Sequence, residues 1–342
     1  MKRHSPILTA AAVVLLAGAL LYLAGFRTPC QAAHTAAAWV VTRQLGAAVV
    51  SAAPSRSPGP SAAPADASPA PVPVETVSEA WDEDARQTQP EPAPSEIRLE
   101  DAPALELRNS TDYTVDFTQL PALPQGLDFQ QDPAIAIIHT HTTESYFNVD
   151  APEVYRSQSE AEGVMAVGDA MAEVLRQRGY HVLHDKTLCD YPEYNGAYSR
   201  SRDVIVSDLE QYSSLCLVLD VHRDAVANTD GSQLRLAVPL EGQDTAQVML
   251  VVGTDDGGLE HPDWQENLSL AAVLQARLTQ TCPGLMRPIN LRSERFNQDL
   301  APLSLLVEVG TSGNTLEEAL RGGQYFSQAL ADVLDQYSGK SS

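Results

Sequence analysis

Residues 135–146, IAIIHTHTTESY, decide how the rest of the chain is interpreted. The stretch opens inside a short apolar run, 134–138, which is rich in β-branched Ile and typical of a buried strand rather than an amphipathic helix. His139, His141 and Glu144 follow directly. Ligands bind at the carboxyl ends of strands in α/β sheets, and imidazole and carboxylate groups are common ligands of Zn²⁺. The pattern predicts a strand that leads into a metal site, and the alternative is a polar turn with two solvated histidines.

The composition excludes some classes of partner. The 342 residues carry a formal net charge of −23, which argues against nucleic acid or an anionic membrane surface as the main partner. The four cysteines show no CxxC spacing, so neither a structural zinc knot nor a thioredoxin-like redox site is predicted. We expect isolated core residues, while pairing of two of them stays open. The cysteines are Cys30, Cys189, Cys216 and Cys282, and the possible pair is Cys189 with Cys282.

The beginning of the chain has the pattern of a membrane anchor. Residues 7–26 are uncharged, follow Lys2, Arg3 and His4, and match the roughly 20 residues that a helix needs to cross a bilayer. An uncleaved single-pass anchor is predicted within residues 1–30, and a cleaved signal peptide is the alternative. Because the basic residues precede the apolar run, we expect the N-terminus in the cytoplasm and the rest of the chain outside the cell membrane.

Composition also separates a spacer from a folded domain. Residues 31–110 are rich in Pro, Ala, Ser and acidic residues and lack the large apolar side chains of a core, so a disordered spacer is expected there. Such a segment would hold a domain away from a membrane. Residues 111–340 show regular patterns and are predicted to form the folded domain.

Strands and helices alternate in the second half of the chain. This alternation predicts an α/β domain with a mostly parallel central sheet and helices on both faces. Strands are predicted at 134–138, 180–184, 215–221, 234–239, 248–253 and 303–309, and helices at 163–178, 199–212, 266–278 and 315–337.

Three of the predicted strands end in polar clusters. The first cluster contains His139, His141 and Glu144. The second contains Asp220, His222, Arg223 and Asp224 of LVLDVHRD, and the third is Glu308 in the otherwise apolar LLVEVG. A buried ionisable group is costly unless it is paired, hydrogen-bonded or metal-bound. Three clusters at the same ends of strands in one sheet are therefore interpreted as one site.

The residue types in this site suit a zinc hydrolase. Two histidines and one carboxylate bind Zn²⁺ and leave a position for water, whose pKa the metal lowers. A second carboxylate outside the metal shell, for which Glu308 is suited, can take the proton from that water and pass it to a leaving nitrogen. For His222 alone, a core histidine bonded to the backbone is the alternative interpretation.

Five blocks of the sequence resemble the stage II sporulation protein P family. They span about residues 134–333 and read IIHTHTTESYF, YNGAYSRSR, LVLDVHRDA, VVGTDDGGLEHPDW and RFNQDLAPLSLLVEVGTSGNTLEEA. The family is similar in fold to zinc-dependent N-acetylmuramoyl-L-alanine amidases. The resemblance implies a peptidoglycan hydrolase that cleaves the amide between the lactyl group of muramic acid and L-alanine, with peptide cross-links as further substrates.

The same resemblance implies a cellular role. It places the protein in the mother-cell septal membrane during sporulation, where it would degrade septal peptidoglycan during engulfment of the forespore. The implied partners are stage II sporulation proteins D and M.

The resemblance also implies roles for individual residues. His141 and His222 align with zinc ligands and Glu308 with the catalytic glutamate. The third ligand stays open: Glu144 is favoured, and the alternates are His139 and Glu160. Four arginines are expected to hold carboxylates of the stem peptide or to be surface charges, and His261 is expected in the groove or on a solvated loop. The arginines are Arg200, Arg202, Arg223 and Arg295.

Overall fold

The computed structural model describes residues 105–228 and 232–338. These residues belong to one compact unit, Glu83–Ser342. The predicted anchor and nearly all of the predicted spacer lie outside the described residues. Within the described ranges, every helix is too short or too polar to span a bilayer.

Strands and helices alternate through the described chain. Its nine strands are β1 (Leu107–Asn109), β2 (Ile135–Ile138), β3 (Val182–His184), β4 (Leu217–Asp224), β5 (Ala237–Leu240), β6 (Gln243–Ala246), β7 (Val248–Gly253), β8 (Ile289–Arg292) and β9 (Leu303–Thr311). Its four α-helices are α1 (Gly163–Gln177), α2 (Ala197–Gln211), α3 (Trp264–Thr281) and α4 (Leu316–Tyr337).

Seven strands form the central sheet in the order β1-β8-β7-β9-β4-β2-β3. The pairing of β7 with β9 is antiparallel, and the other pairings are parallel. The prediction of a mostly parallel sheet is therefore confirmed. The reversal at β7 places the amino ends of β7, β8 and β1 beside the carboxyl ends of β9, β4 and β2.

Helices lie on both faces of this sheet. Ile135 and Ile137 of β2 point into the larger core, which α1, α3 and α4 cover. Ala136 and Ile138 point to the opposite face, where they pack against Ile205 of α2. Because successive side chains of a strand alternate between faces, a short strand can fill both cores at once.

The face that α2 covers is open over the other half of the sheet. There Met249, Val251 and Leu306 form a small cluster that packs against Phe296, a loop residue. The elements around this cluster leave a cleft whose floor is the sheet itself.

Some elements differ from the predictions. β1, β6 and β8 were not expected, and β1 precedes residue 111, the expected beginning of the folded domain. β8 reads INLR and β1 reads LRN, so neither has the apolar run that marked the other strands. Cys189, Cys216 and Cys282 are buried and free, which confirms the expectation of isolated core residues for these three and excludes the Cys189–Cys282 pair. Cys30 lies outside the described residues.

Candidate active site

Three neighbouring strands bring the polar clusters together. β4 lies between β2 and β9, and His222 of β4 is in register with Glu308 of β9. His141 and Glu144 lie in the turn that follows β2. The parallel direction of these strands puts all four residues at one edge of the sheet.

His222 lies between two carboxylates. Its Nδ1 is 3.4 Å from Oε2 of Glu144, and its Nε2 is 2.9 Å from Oδ1 of Asp220, a close ion-pair contact that lacks the alignment of a hydrogen bond. Burial alone would lower the pKa of His222, but Asp220 and Glu144 raise it well above its usual value. Asp220 is itself fixed by Thr140, whose backbone N–H (2.8 Å) and hydroxyl (2.6 Å) donate to it.

His141 is held by aromatic contacts. Its ring stacks on Tyr194 with 4.5 Å between centroids and an interplanar angle of 10°. It is nearly perpendicular to the His222 ring at 5.3 Å and to the Tyr198 ring at 5.6 Å. Burial, followed by the proximity of His222, lowers the pKa of His141, so this imidazole is neutral at neutral pH.

Glu308 holds a proton at neutral pH in the metal-free protein. Burial raises its pKa to about 8, and the neighbouring carboxylates of Glu144 and Asp224 add to this effect against the opposing influence of His222. One of its carboxyl oxygens, Oε2, is buried and has no hydrogen-bond partner.

A close approach of backbone fixes Glu144. The N–H of Val164 at the beginning of α1 donates to the Glu144 carbonyl oxygen (2.9 Å). Gly163 makes this possible: its φ is +69°, and a Cβ there would lie 2.1 Å from the same oxygen. A residue with a side chain would both clash and be strained in this conformation.

The donor atoms fit zinc in kind. The buried Nδ1 of His141 lacks a hydrogen-bond partner, and Nδ1 of His222 faces the carboxylate of Glu144 at 3.4 Å. Two imidazoles with one carboxylate are a common ligand set for catalytic Zn²⁺. In the described part of the chain no three His, Cys, Asp or Glu side chains already converge on one point, so these side chains would rotate to bind the ion.

The cluster opens into a cleft of about 410 Å³. His141, Glu144, His222 and Glu308 line one end of this catalytic cleft, and the exposed sheet face and the β8 strand line the rest. A peptide-sized substrate could therefore lie across the sheet with one bond next to Glu308.

The two alternate ligands lie elsewhere. His139 points to the α1 side of the sheet, where its Nδ1 contacts the carbonyl oxygen of Val221 and its Nε2 contacts His184, each at 2.8 Å. Burial lowers the pKa of His139 to about 3. Glu160 is on the surface and pairs with Lys186 at 2.9 Å. Neither joins the cluster around His222, so Glu144 is the third candidate ligand that the fold brings there.

Two of the arginines expected to bind substrate are engaged within the protein. The guanidinium of Arg200 donates to backbone carbonyl oxygens, including that of Cys189 at 2.5 Å. Arg202 forms two parallel bonds to the carboxylate of Asp299, at 3.0 and 3.1 Å. Both fix the loops beside α2.

The other two arginines and His261 also contact protein groups, and Arg223 in addition lines the catalytic cleft. Arg223 is buried and donates to the carbonyl oxygens of Ser145 and Tyr155, at 3.0 and 3.1 Å, so it supports the turn that carries Glu144. Arg295 lies 3.1 Å from Asp299 and also donates to a backbone carbonyl. His261 is buried beside Asn267, rather than in the groove or on a solvated loop.

The residues that hold Tyr194 against His141 were not predicted from the sequence. The guanidinium of Arg156 lies over the Tyr194 ring at 4.7 Å and pairs with the buried Asp190 at 2.6 Å. Asp190 accepts from the N–H and the hydroxyl of Thr143, at 3.0 and 2.8 Å. Tyr194 belongs to the YNGAYSRSR block, but nothing in that block alone indicates that its ring lies on a histidine 53 residues earlier.

Comparison with known proteins gives the context of this site. A curated relative, stage II sporulation protein P of Bacillus subtilis (strain 168), is 29% identical over 217 residues, which is 59% of this chain and 50% of the relative. The chain thus matches about half the length of that protein.

Solved structures give weaker likenesses, with 12–14% identity and TM-scores of 0.35–0.36. The N-acetylmuramoyl-L-alanine amidase AmiC2 of Nostoc punctiforme aligns at 14% identity and TM-score 0.35, covering 59% of this chain and 97% of that one. Ami1 of Mycobacterium abscessus aligns at 12% and 0.36, covering 61% and 100%. The amidase of Clostridium difficile 630 aligns at 13% and 0.35, covering 62% and 100%.

The family model for stage II sporulation protein P matches residues 65–331. That range contains the three strand-end clusters and most of the described chain. The chain therefore belongs to the stage II sporulation protein P family.

Proposed function

We propose that this protein is a zinc-dependent peptidoglycan hydrolase that cleaves the amide between muramic acid and L-alanine. The observation that supports this most directly is the arrangement of His141, Glu144, His222 and Glu308 at one end of the catalytic cleft. It joins a ligand set suited to Zn²⁺ with a separate buried carboxyl group, as hydrolysis of an amide requires.

His141, Glu144 and His222 are the residues that would hold the metal. When bound, Zn²⁺ supplies Lewis-acid polarisation of the amide carbonyl and lowers the pKa of water. Asp220 orients His222 from the opposite side of the ring, as carboxylates commonly do for metal-binding histidines.

Glu308 would move the proton. The oxygen of water adds to the amide carbonyl carbon and the C–N bond breaks. Glu308 takes one proton from the water and delivers it to the leaving nitrogen, so the products are a lactyl carboxylic acid and the α-amine of L-alanine. A carboxyl group whose pKa lies near the working pH is suited to accept and return a proton, and burial raises the pKa of Glu308 toward that range.

The test is digestion of purified peptidoglycan by the zinc-loaded protein, with the products identified by mass spectrometry. We expect free lactyl-muramic ends. New peptide amines without such ends would contradict the amidase assignment and indicate cleavage of cross-links. If wild type releases no fragments, the domain holds the wall without cutting it.

Two substitutions separate the roles of the residues. Glu308→Gln should abolish turnover and keep zinc, whereas His222→Ala should lose both. Suitable controls are Glu173→Gln on the exposed face of α1 and His181→Ala, a surface histidine, which should change neither zinc content nor turnover. Loss of zinc in the Glu308 variant would mean that this residue is a ligand rather than the base.

Family membership supports a sporulation role for this activity. We propose that the substrate is septal peptidoglycan and that the protein acts during engulfment with stage II sporulation proteins D and M. Residues 7–26 would anchor it in the cell membrane with the hydrolase outside. Fractionation of sporulating cells, with and without residues 1–30, tests the anchor separately from the activity.

A further inference from the structure

Basic residues gather where β1, β8 and the residue segment before β8 line the catalytic cleft. Arg108 of β1, Arg292 of β8 and Arg287 just before β8 line it. With Arg223, which supports the Glu144 turn, four arginines line the cleft. The whole chain has only 22 Lys and Arg against 45 Asp and Glu, so composition does not explain this group. Their position indicates an anionic ligand.

The sheet register shows that this end belongs to the same surface as the catalytic end. Arg108 is in register with Asn290 of β8, Asn290 with Val251 of β7, and Val251 with Leu306 of β9. Side chains in register on neighbouring strands project from the same face. A row of side chains therefore runs across the sheet from the vicinity of Glu308 to Arg108.

Two of these arginines have N–H groups without a partner. Within residues 105–228 and 232–338, the side chain of Arg108 has no hydrogen-bond or ion-pair partner. Arg287 pairs with Asp224 at 2.8 Å, but its Nη1 is buried without a partner. Arg292 forms two bonds to the carboxylate of Glu294, at 3.1 and 3.0 Å, on the exposed surface.

A second unpaired group lies between them. Asn290 is only 8% exposed, lines the cleft, and its Oδ1 has no hydrogen-bond partner. A buried acceptor without a donor is unfavourable. A peptide N–H crossing the cleft would supply the missing donor, so this group suits a ligand that combines a peptide backbone with an anionic group.

We propose that Arg108, Arg287 and Arg292 form a subsite for a carboxylate of the stem peptide, with Asn290 accepting from its backbone. This subsite rests on the proposed hydrolase function and specifies which part of the substrate the cleft reads. β8 and β1 are two and three strand spacings from β9, or about 10 and about 14 Å. At about 3.3 Å per extended residue, the carboxylate is on the third or fourth residue from the cleaved bond.

Binding to the zinc-loaded full chain carrying Glu308→Gln tests this subsite without turnover. The probes are a muramoyl tetrapeptide with free carboxylates and the same compound with those carboxylates amidated, measured by calorimetry. We expect the acid to bind about tenfold more tightly than the amide. Adding Arg108→Gln should weaken acid binding about tenfold and leave amide binding unchanged, while Arg108→Lys should retain part of the difference.

Arg176→Gln is the matched control, because this arginine is on the exposed surface of α1. It should not change the affinity for either probe. Equal affinities for acid and amide, an equal loss of both in the Arg108 variant, or no binding of either probe would overturn the subsite. Wild-type turnover is measured in parallel, so an acid preference without cleavage would contradict the hydrolase and retain the subsite.

Discussion

Gly168 shows how one residue without a side chain fixes the region behind the site. It lies in α1, and a Cβ at this position would be 2.6 Å from His184 Nε2 and 2.9 Å from His139 Nε2. Alanine normally stabilises a helix relative to glycine by up to about 1 kcal/mol. Gly168→Ala is nevertheless expected to lower the free energy of unfolding by roughly 1–3 kcal/mol, because the two imidazoles are already packed. Urea denaturation measures this.

The sign of that change distinguishes packing from helix propensity. His184→Ala in the background removes the closer of the two contacts, so Gly168→Ala should then cost less than it does in the wild-type background. Simple addition of the two effects would show that the clash with His184 is not the cause.

Asp220 is expected to act on zinc binding through His222. Asp220→Asn removes the negative charge 2.9 Å from the ring and should weaken zinc affinity by about 10–100-fold. Competition with a chelator measures the affinity. The control is Asp203→Asn on the exposed face of α2, which should not alter it, and an unchanged affinity for the Asp220 variant would mean that His222 is oriented by other contacts.

At the scale of elements, α2 carries a carboxyl group that makes stability depend on pH. Burial, aided by repulsion from Asp185, raises the pKa of Asp208 from 3.8 to about 6, and its Oδ2 is buried without a partner. The folded state therefore binds this proton more tightly than the unfolded state. The contribution is fully present below about pH 4 and is lost as the pH rises through about 6.

Asp208→Asn should remove the loss of stability that wild type shows as the pH rises through about 6. Relative to wild type, the variant should gain roughly 1 kcal/mol of unfolding free energy between pH 4 and pH 8. Denaturation with urea at both pH values measures the change, with Asp203→Asn as the exposed control. A constant difference between variant and wild type at the two pH values would contradict a raised pKa.

The predictable elements are those whose side chains fill the core. β2, β4 and β9 are apolar runs because both of their faces are covered, so composition alone marks them. β8 has Asn290 facing the cleft and Ile289 and Leu291 facing the core, and β1 has a single half-buried Leu107. Such short strands depend on a neighbouring strand that no local pattern identifies.

The candidate site was predictable where strand geometry determines it. His141, Glu144, His222 and Glu308 gather because they end parallel neighbours. Side chains alternate between the two faces of a strand, so the core-facing Ile137 already places His139 on the core side. This alternation was sufficient to exclude His139 as a metal ligand. The arginines of the proposed subsite could not be predicted. Arg202 and Arg223 are occupied by groups from distant parts of the chain, and no local pattern marks the contacts of Arg200 and Arg295 with their near neighbours.

At the scale of the whole molecule, the sheet has two blocks of opposite direction. β9, β4 and β2 bring the groups for chemistry, while β7, β8 and β1 bring the proposed carboxylate subsite. β1 completes the second block. Backbone hydrogen bonds join its ends to β8: the N–H of Ile289 donates to the carbonyl oxygen of Glu106 (2.8 Å), and the N–H of Ser110 donates to that of Leu291 (3.0 Å).

A fragment that begins at residue 111 is therefore expected to be less stable than one that begins at residue 83. It lacks β1 and the side chain of Gln275 loses its two bonds to the Glu106 backbone. Because β8 becomes an edge strand, this fragment should also aggregate more readily. Thermal melts and light scattering of both fragments measure this, and identical behaviour would show that β1 is dispensable for the fold.

The place of β1 also has a mechanical consequence. It is an outermost strand of the sheet and the first strand among the described residues, so tension applied to the described domain from its N-terminal side would act there first. The load would fall on a three-residue strand, and detaching it would carry Arg108 out of the cleft before the core opened. In force spectroscopy, pulling from the N-terminal side should give a small early rupture, and added acidic muropeptide should raise the force at which it occurs.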